Sequence, residues 1–236
     1  MDADSAWRVI DEERSRLAEL MEDLSGSEWR TASLCRAWTV REVAAHLTLA
    51  HTGMRAGLPA LVRAGGSFDR MIRDTAIRQA RMPVSEYPRR LRAMVGSRRT
   101  APFLTHIQPL IDVLCHAQDI ARPIGRPYPM PVDAAVAAAD HIWRSSFPFR
   151  AQRRLRGFEL VATDAPWRAG VGHRVEGPMS ALLLLVSGRP AALADLAGPG
   201  AATLPATFSH DAGPTRPRRP ATTTDAGAPP LREERS

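Results

Sequence analysis

The chain has 236 residues, 44% of them hydrophobic and 24% charged, with a formal net charge of +7. That length suits one large domain or a main domain with an appended lobe, and the composition excludes wholesale disorder and a long repeat array. The longest apolar run, Met179–Val186 with one serine inside it, falls far short of the roughly 18–20 residues that span a bilayer. The first thirty positions lack a short apolar core followed by a small-residue cleavage site, so a soluble, cytoplasmic protein is expected. Cys35 and Cys115 are too few for a disulfide framework and belong to no CxxC motif. Every basic residue is arginine. These arginines read as scattered among acids, with Arg216, Arg218 and Arg219 as the only compact group, so no nucleic-acid partner is expected.

In chain order, Trp7, Ile10, Leu17, Met21 and Leu24 recur at helical spacing and predict an amphipathic helix over 5–24. Thr39 stands three residues before Glu42, the spacing of a reciprocal cap, so a second helix should start at Val40 and run to about residue 58, ahead of Pro59. Further helices are predicted over 68–81 and 85–95. Another is expected over 110–122, with Pro109 at its first position. Residues 133–143 are alanine-rich and helical by propensity.

The pattern changes after Pro148. Residues 158–162 are strand-compatible, and 167–175, with Gly170 and Gly172, read as a second, irregular strand or hairpin arm. Pro178 can open a helix through Val186, and 191–196 can form another short one. From Pro205 onward there are six prolines in 32 residues, and Phe208 and Leu231 are the only large apolar groups, so a disordered tail is expected. The predicted organisation is a helical domain over 1–147, a small α+β lobe over 148–204 and a tail over 205–236.

Two helices can carry chemistry. On the second, Val43, His46, Leu47, Ala50 and Met54 share a face, which points His46 into or beside the bundle interior, with His51 at the edge of that face. On the later helix Asp112 and His116 lie four apart, one above the other, with Asp119 one turn on. That pair suits a shared metal ion. From periodicity alone it better suits a solvated stripe, since Asp112, His116, Gln118, Asp119 and Arg122 cover one contiguous arc. An acid four residues before a histidine also arises by chance, and Glu42 and His46 repeat the spacing where capping already explains the glutamate. Cys115 is expected to pack as a small apolar group, Cys35 to close the loop before the capped helix, and Trp29 and Trp38 to anchor the core.

A resemblance separates these alternatives. The segment Cys35-Arg-Ala-Trp38-Thr-Val-Arg-Glu-Val-Ala-Ala-His46-Leu resembles the "C..WTVR.V..HL" signature of the mycothiol-dependent maleylpyruvate isomerase family, part of the DinB-like helical-bundle superfamily. The segment Asp112-Val-Leu-Cys-His116-Ala-Gln118-Asp119-Ile-Ala-Arg-Pro-Ile-Gly125 is similar to that family's second signature. Weaker likeness extends from about residue 5 to residue 204, through "FELVATDAPW" and "GPMSALLLLVSGR", and stops before the tail.

The resemblance implies a mainly α fold, a DinB-like four-helix bundle followed by a small α+β lobe. It places metal ligands on His46, Asp112 and His116. Asp112 stands where the founding enzyme has glutamate, which shortens the ligand by one methylene and keeps an oxygen donor. Two imidazoles and one carboxylate suit a divalent ion, zinc first, with one position left open. The implied cosubstrate is mycothiol, which a metal would present as a thiolate to a small electrophile in an isomerase or a thiol transferase. Arg189 is a candidate for binding an acidic substrate, with a solvent-facing loop arginine as the alternative. Asp119 either orients a metal ligand from behind or stays solvated. A non-catalytic metal-binding or regulatory protein is the competing reading, because one fold hosts many functions.

Overall fold

The computed structural model describes residues 1–51, 68–100 and 104–204. The second helix beyond residue 51, the side chain of His51 and the whole tail lie outside them. Helix α1 (Ala3–Glu22) starts two residues earlier than the apolar pattern alone indicates, because the Asp2 carboxylate accepts the backbone N–H of Ser5 and caps it. A short 3-10 turn, Glu28–Arg30, carries the buried Trp29. Helix α2 (Val40–Leu47) opens on the Thr39/Glu42 capping box. The α geometry then gives way to a 3-10 turn, Thr48–His51, where the Thr48 hydroxyl donates to the Ala45 carbonyl.

Helices α3 (Phe68–Gln79) and α4 (Glu86–Ala93) follow. Helix α5 (Ile107–Ala121) begins three residues before the expected start, which puts Pro109 third in the helix. First-turn N–H groups have no intrahelical partner, so proline loses nothing there. Helix α6 (Val132–Arg144) completes the bundle. Helix α5 is its hub and packs against α1, α2 and α6. The core they share includes Ile10, Leu17, Val43, Leu110, Leu114 and Ile142, all buried.

After a four-residue helix α7 (Ala151–Arg154) come strands β1 (Gly157–Ala162), β2 (Arg168–Gly170) and β3 (Gly172–Gly177). The single irregular strand expected over 167–175 is two strands, parted at Val171. They lie on opposite edges of β1, β2 antiparallel and β3 parallel to it. The chain therefore crosses the start of β1 within one residue. Gly170 (φ +80) and Gly172 (φ +136) permit this, because a Cβ on Gly172 would lie 2.0 Å from the Gly157 carbonyl oxygen and one on Gly170 2.3 Å from that of Phe158.

Helix α8 (Met179–Val186) is buried along nearly its whole length and packs on α6, joining the lobe to the bundle. The 3-10 stretch Pro190–Asp195 replaces the short helix expected there. Among the described residues no helix is long and apolar enough to cross a membrane. The fold is mostly helical with one small sheet, a helical bundle joined to an α+β lobe.

Candidate metal centre

The loop before α2 is tied down by its own backbone. Val40 N–H donates to the Thr31 carbonyl at 2.9 Å, Ser33 N–H to that of Trp38 at 2.9 Å, and Leu34 N–H to that of Asp119 on α5 at 3.3 Å. The Thr39 and Glu42 side chains then fix the helix start, with the Glu42 carboxylate accepting both the N–H and the hydroxyl of Thr39. Two turns on, His46 faces α5, its ring 5.3 Å centroid to centroid from buried Trp38.

On α5, Asp112 and His116 share the face that meets α2. Nε2 of His46 and Nε2 of His116 each lie 3.3 Å from Oδ1 of Asp112. The two imidazole rings are edge to face, 4.9 Å apart. The three donor atoms all lie within 4.8 Å of one another. The two separations of 3.3 Å match the edge, about 3.4 Å, of a tetrahedron with bonds of about 2.1 Å, so the three residues could hold a divalent ion. The Asp112 side chain is 33% exposed and those of His46 and His116 are 19% and 12%, so the donors sit in a partly exposed recess.

Behind His116 the structure is closed. Nδ1 of His116 donates to Oδ2 of Asp119 at 2.7 Å, and Asp119 has no exposed surface. Arg189 grips the same carboxylate from the lobe, Nε to Oδ1 and a terminal nitrogen to Oδ2, both at 2.7 Å. The Cys35 thiol donates to Oδ2 at 3.0 Å. Arg189 is aimed by the end of α8: Gly188 (φ +90) and Arg189 return their N–H groups to the carbonyls of Leu185 and Leu184, a Schellman motif. Arg189 is thus not a solvent-facing loop residue, and Asp119 is not solvated.

The electrostatics follow from this packing. Burial pushes the Asp112 carboxyl up, but the two facing imidazoles outweigh it and hold the group well below the usual carboxylate range. Burial likewise opposes ionisation of Asp119, and the Arg189 fork and His116 reverse it. Burial lowers the His116 pKa, and the flanking carboxylates of Asp112 and Asp119 carry it well above the ordinary imidazole value. Burial raises the Cys115 thiol, which packs at 2% exposure against the Ser187 hydroxyl.

The solvated-stripe alternative fails for this helix. Gln118 is buried and donates to the Tyr128 carbonyl at 2.7 Å, and Arg122 donates to the Gln118 amide oxygen at 3.1 Å. Cys35 closes the loop, as its position before the capped helix suggests, but it does so on Asp119. Sequence reasoning gave no signal for that contact, because the partners are 84 positions apart. It also missed a compact basic group. Residues 144–156 hold five arginines and no acid, so the tail does not carry the only such cluster.

The fold and the donor cluster together define a helical-bundle protein with a candidate metal centre at the seam with an α+β lobe. Within that class, residues 10–102 match the family model described as the mycothiol maleylpyruvate isomerase N-terminal domain. The matched segment includes His46 and ends before Asp112 and His116. Two solved structures share the fold. A crystal structure of the mycothiol-dependent maleylpyruvate isomerase aligns with a TM-score of 0.57 at 16% identity, over 80% of this chain and 90% of that one. A histidine-to-alanine mutant of such an enzyme aligns with a TM-score of 0.59 at 14% identity, over 85% and 94%. No curated protein sequence matches the chain.

Proposed function

We propose that this chain is a mycothiol-dependent metalloenzyme of the cytoplasm, an isomerase or thiol transferase acting on a small electrophile such as an unsaturated carboxylate. The observation that carries this reading is the convergence of His46, Asp112 and His116 on one partly exposed point. Zinc suits such a donor set, with a fourth position for an incoming group, and when bound it would hold a thiol in its deprotonated form. Mixed nitrogen and oxygen donors also take other first-row ions, and availability decides among them.

The chain's own residues have separable tasks in this proposal. The helical part, 1–147, supplies the three donors, and the lobe, 148–204, supplies Arg189. Asp119 accepts the Nδ1 proton of His116, which leaves the Nε2 lone pair facing the recess. Arg189 spends two nitrogens on Asp119; its other terminal nitrogen, 3.4 Å from the Ser187 carbonyl, is the one available to a substrate carboxylate. Trp38 lies against both imidazoles and excludes water from that flank. In an isomerisation, the thiol sulfur adds to the activated double bond, the resulting single bond rotates, and the sulfur leaves as the double bond re-forms. In a transfer, the sulfur stays on the electrophile.

The test is metal analysis of the purified protein, then incubation with mycothiol and a panel of electrophiles. Metal-dependent thiol consumption, lost in His46→Ala and His116→Ala, is expected. A protein that takes up none of zinc, nickel or manganese overturns the reading. One that binds metal but consumes no thiol is the non-catalytic metal-binding protein instead.

A further inference from the structure

Arginines 144, 150, 153, 154 and 156 crowd the junction between α6 and β1. Arg154 turns inward and donates to the carbonyls of Phe149, Leu185 and Val186, which ties the end of α8 to this segment. The other four, with Trp143, Ser145, Ser146 and Gln152, line a cleft of about 440 Å³. That volume lies in the range of small-molecule sites, about 300–1,000 Å³. Among the described residues no carboxylate lines the cleft. Arg144 pairs with Asp140 at 3.0 Å. Among the described residues Arg150, Arg153 and Arg156 have no side-chain hydrogen bond or ion pair.

Three uncompensated guanidinium groups facing one concavity repel each other, and a bound anion relieves that repulsion. A monocarboxylate brings a single charge. A phosphoryl or diphosphoryl group brings two or more, with several oxygens that match the planar Arg fork. Trp143 supplies a firm flat wall: it packs so closely on Gly170 that a Cβ there would lie 3.3 Å from two indole carbons. The charge is local rather than a stripe along the surface. On the neighbouring sheet Arg168 pairs with Glu159 and Arg174 with Glu176, which favours a small ligand over a nucleic-acid backbone.

We propose that this cleft binds a small phosphorylated molecule through its phosphoryl group, with Arg150, Arg153 and Arg156 as donors and Trp143 as the wall beside the remainder of the ligand. None of its lining residues belongs to the candidate metal centre, and the proposal stands independently of that centre's chemistry.

The test is calorimetric titration of the full chain with inorganic pyrophosphate at physiological ionic strength. Saturable one-to-one binding with a Kd below about 1 mM is expected. Arg153→Gln combined with Arg156→Gln, both at exposed positions, should weaken it by about tenfold or more, while Arg98→Gln, at a residue that pairs with Asp4 and does not line the cleft, leaves it unchanged. Citrate and a short DNA duplex serve as competing probes. The proposal is overturned by the absence of saturable pyrophosphate binding in the unmutated chain, by equal loss in Arg98→Gln, by citrate binding as tightly, or by duplex DNA binding more tightly through the same arginines.

Discussion

Asp119 and His116 stand one turn apart on α5, and the carboxylate of the first accepts Nδ1–H of the second at 2.7 Å. His116 thereby keeps Nε2 for the recess it shares with Asp112 and His46. Replacing Asp119 with Asn removes the charge and keeps an acceptor, so metal affinity should fall by about 10–100-fold, the range for partners behind a ligand. Competition against a chelator of known affinity measures it.

The donors themselves should matter more. His46→Ala or His116→Ala is expected to lower metal affinity by more than about 100-fold, beyond the range for outer partners. Asp112→Glu should retain binding, because an oxygen donor remains, and Asp112→Asn should not match it. Zinc titrations of the four variants under one buffer decide this.

Arg189→Ala removes the guanidinium from the Asp119 carboxylate, which has no exposed surface and keeps only His116 and the Cys35 thiol as partners. Breaking a buried pair from one side costs about 3–5 kcal/mol. Denaturant unfolding should show that loss in the midpoint, with Arg189→Lys recovering part of it because the charge returns without the fork.

Glu13 on α1 is buried and Oε2 lacks a hydrogen-bond partner. Burial raises its carboxyl above the ordinary range, against the pull of Arg16. The folded chain then holds this proton to higher pH than the unfolded chain does. Stability falls as pH rises from the ordinary carboxylate pKa through the raised one. Glu13→Gln removes that contribution, so its Tm relative to the parent should improve as pH rises above the ordinary carboxylate range, by about 2–4 °C for each ~1 kcal/mol. Melting curves across this window check the sign.

Gly172→Ala would drive a Cβ into the Gly157 carbonyl at positive φ and should cost about 3 kcal/mol or more, whereas Gly125→Ala, also at positive φ but with nothing within 4 Å, should cost only about 1 kcal/mol. Thermal unfolding of the two variants separates steric conflict from backbone preference.

What the sequence disclosed follows from the range of the forces involved. The Thr39/Glu42 cap and the Pro178 start of α8 are local events, so their spacing reveals them. The His46 face and the Asp112/His116 stack are helical periodicities, but periodicity leaves open whether such a stripe faces water or a neighbour. Burial of Asp119 depends on Arg189, 70 positions away, and no local pattern encodes that pairing. The crossing at Val171 rests on two glycines whose need shows only when strands on both edges of β1 are present. The arginine cleft escaped notice because a loop and a four-residue helix gather its members without a period.

The grip of Arg189 on Asp119 bears on how the polypeptide can be divided. A fragment truncated after residue 147 would retain all three donors, yet it would expose the α6 surface that α8 covers and leave an interior anion with no counter-ion from the lobe. The helical portion and the lobe should therefore melt in one cooperative transition, and excising either one should yield material prone to aggregation.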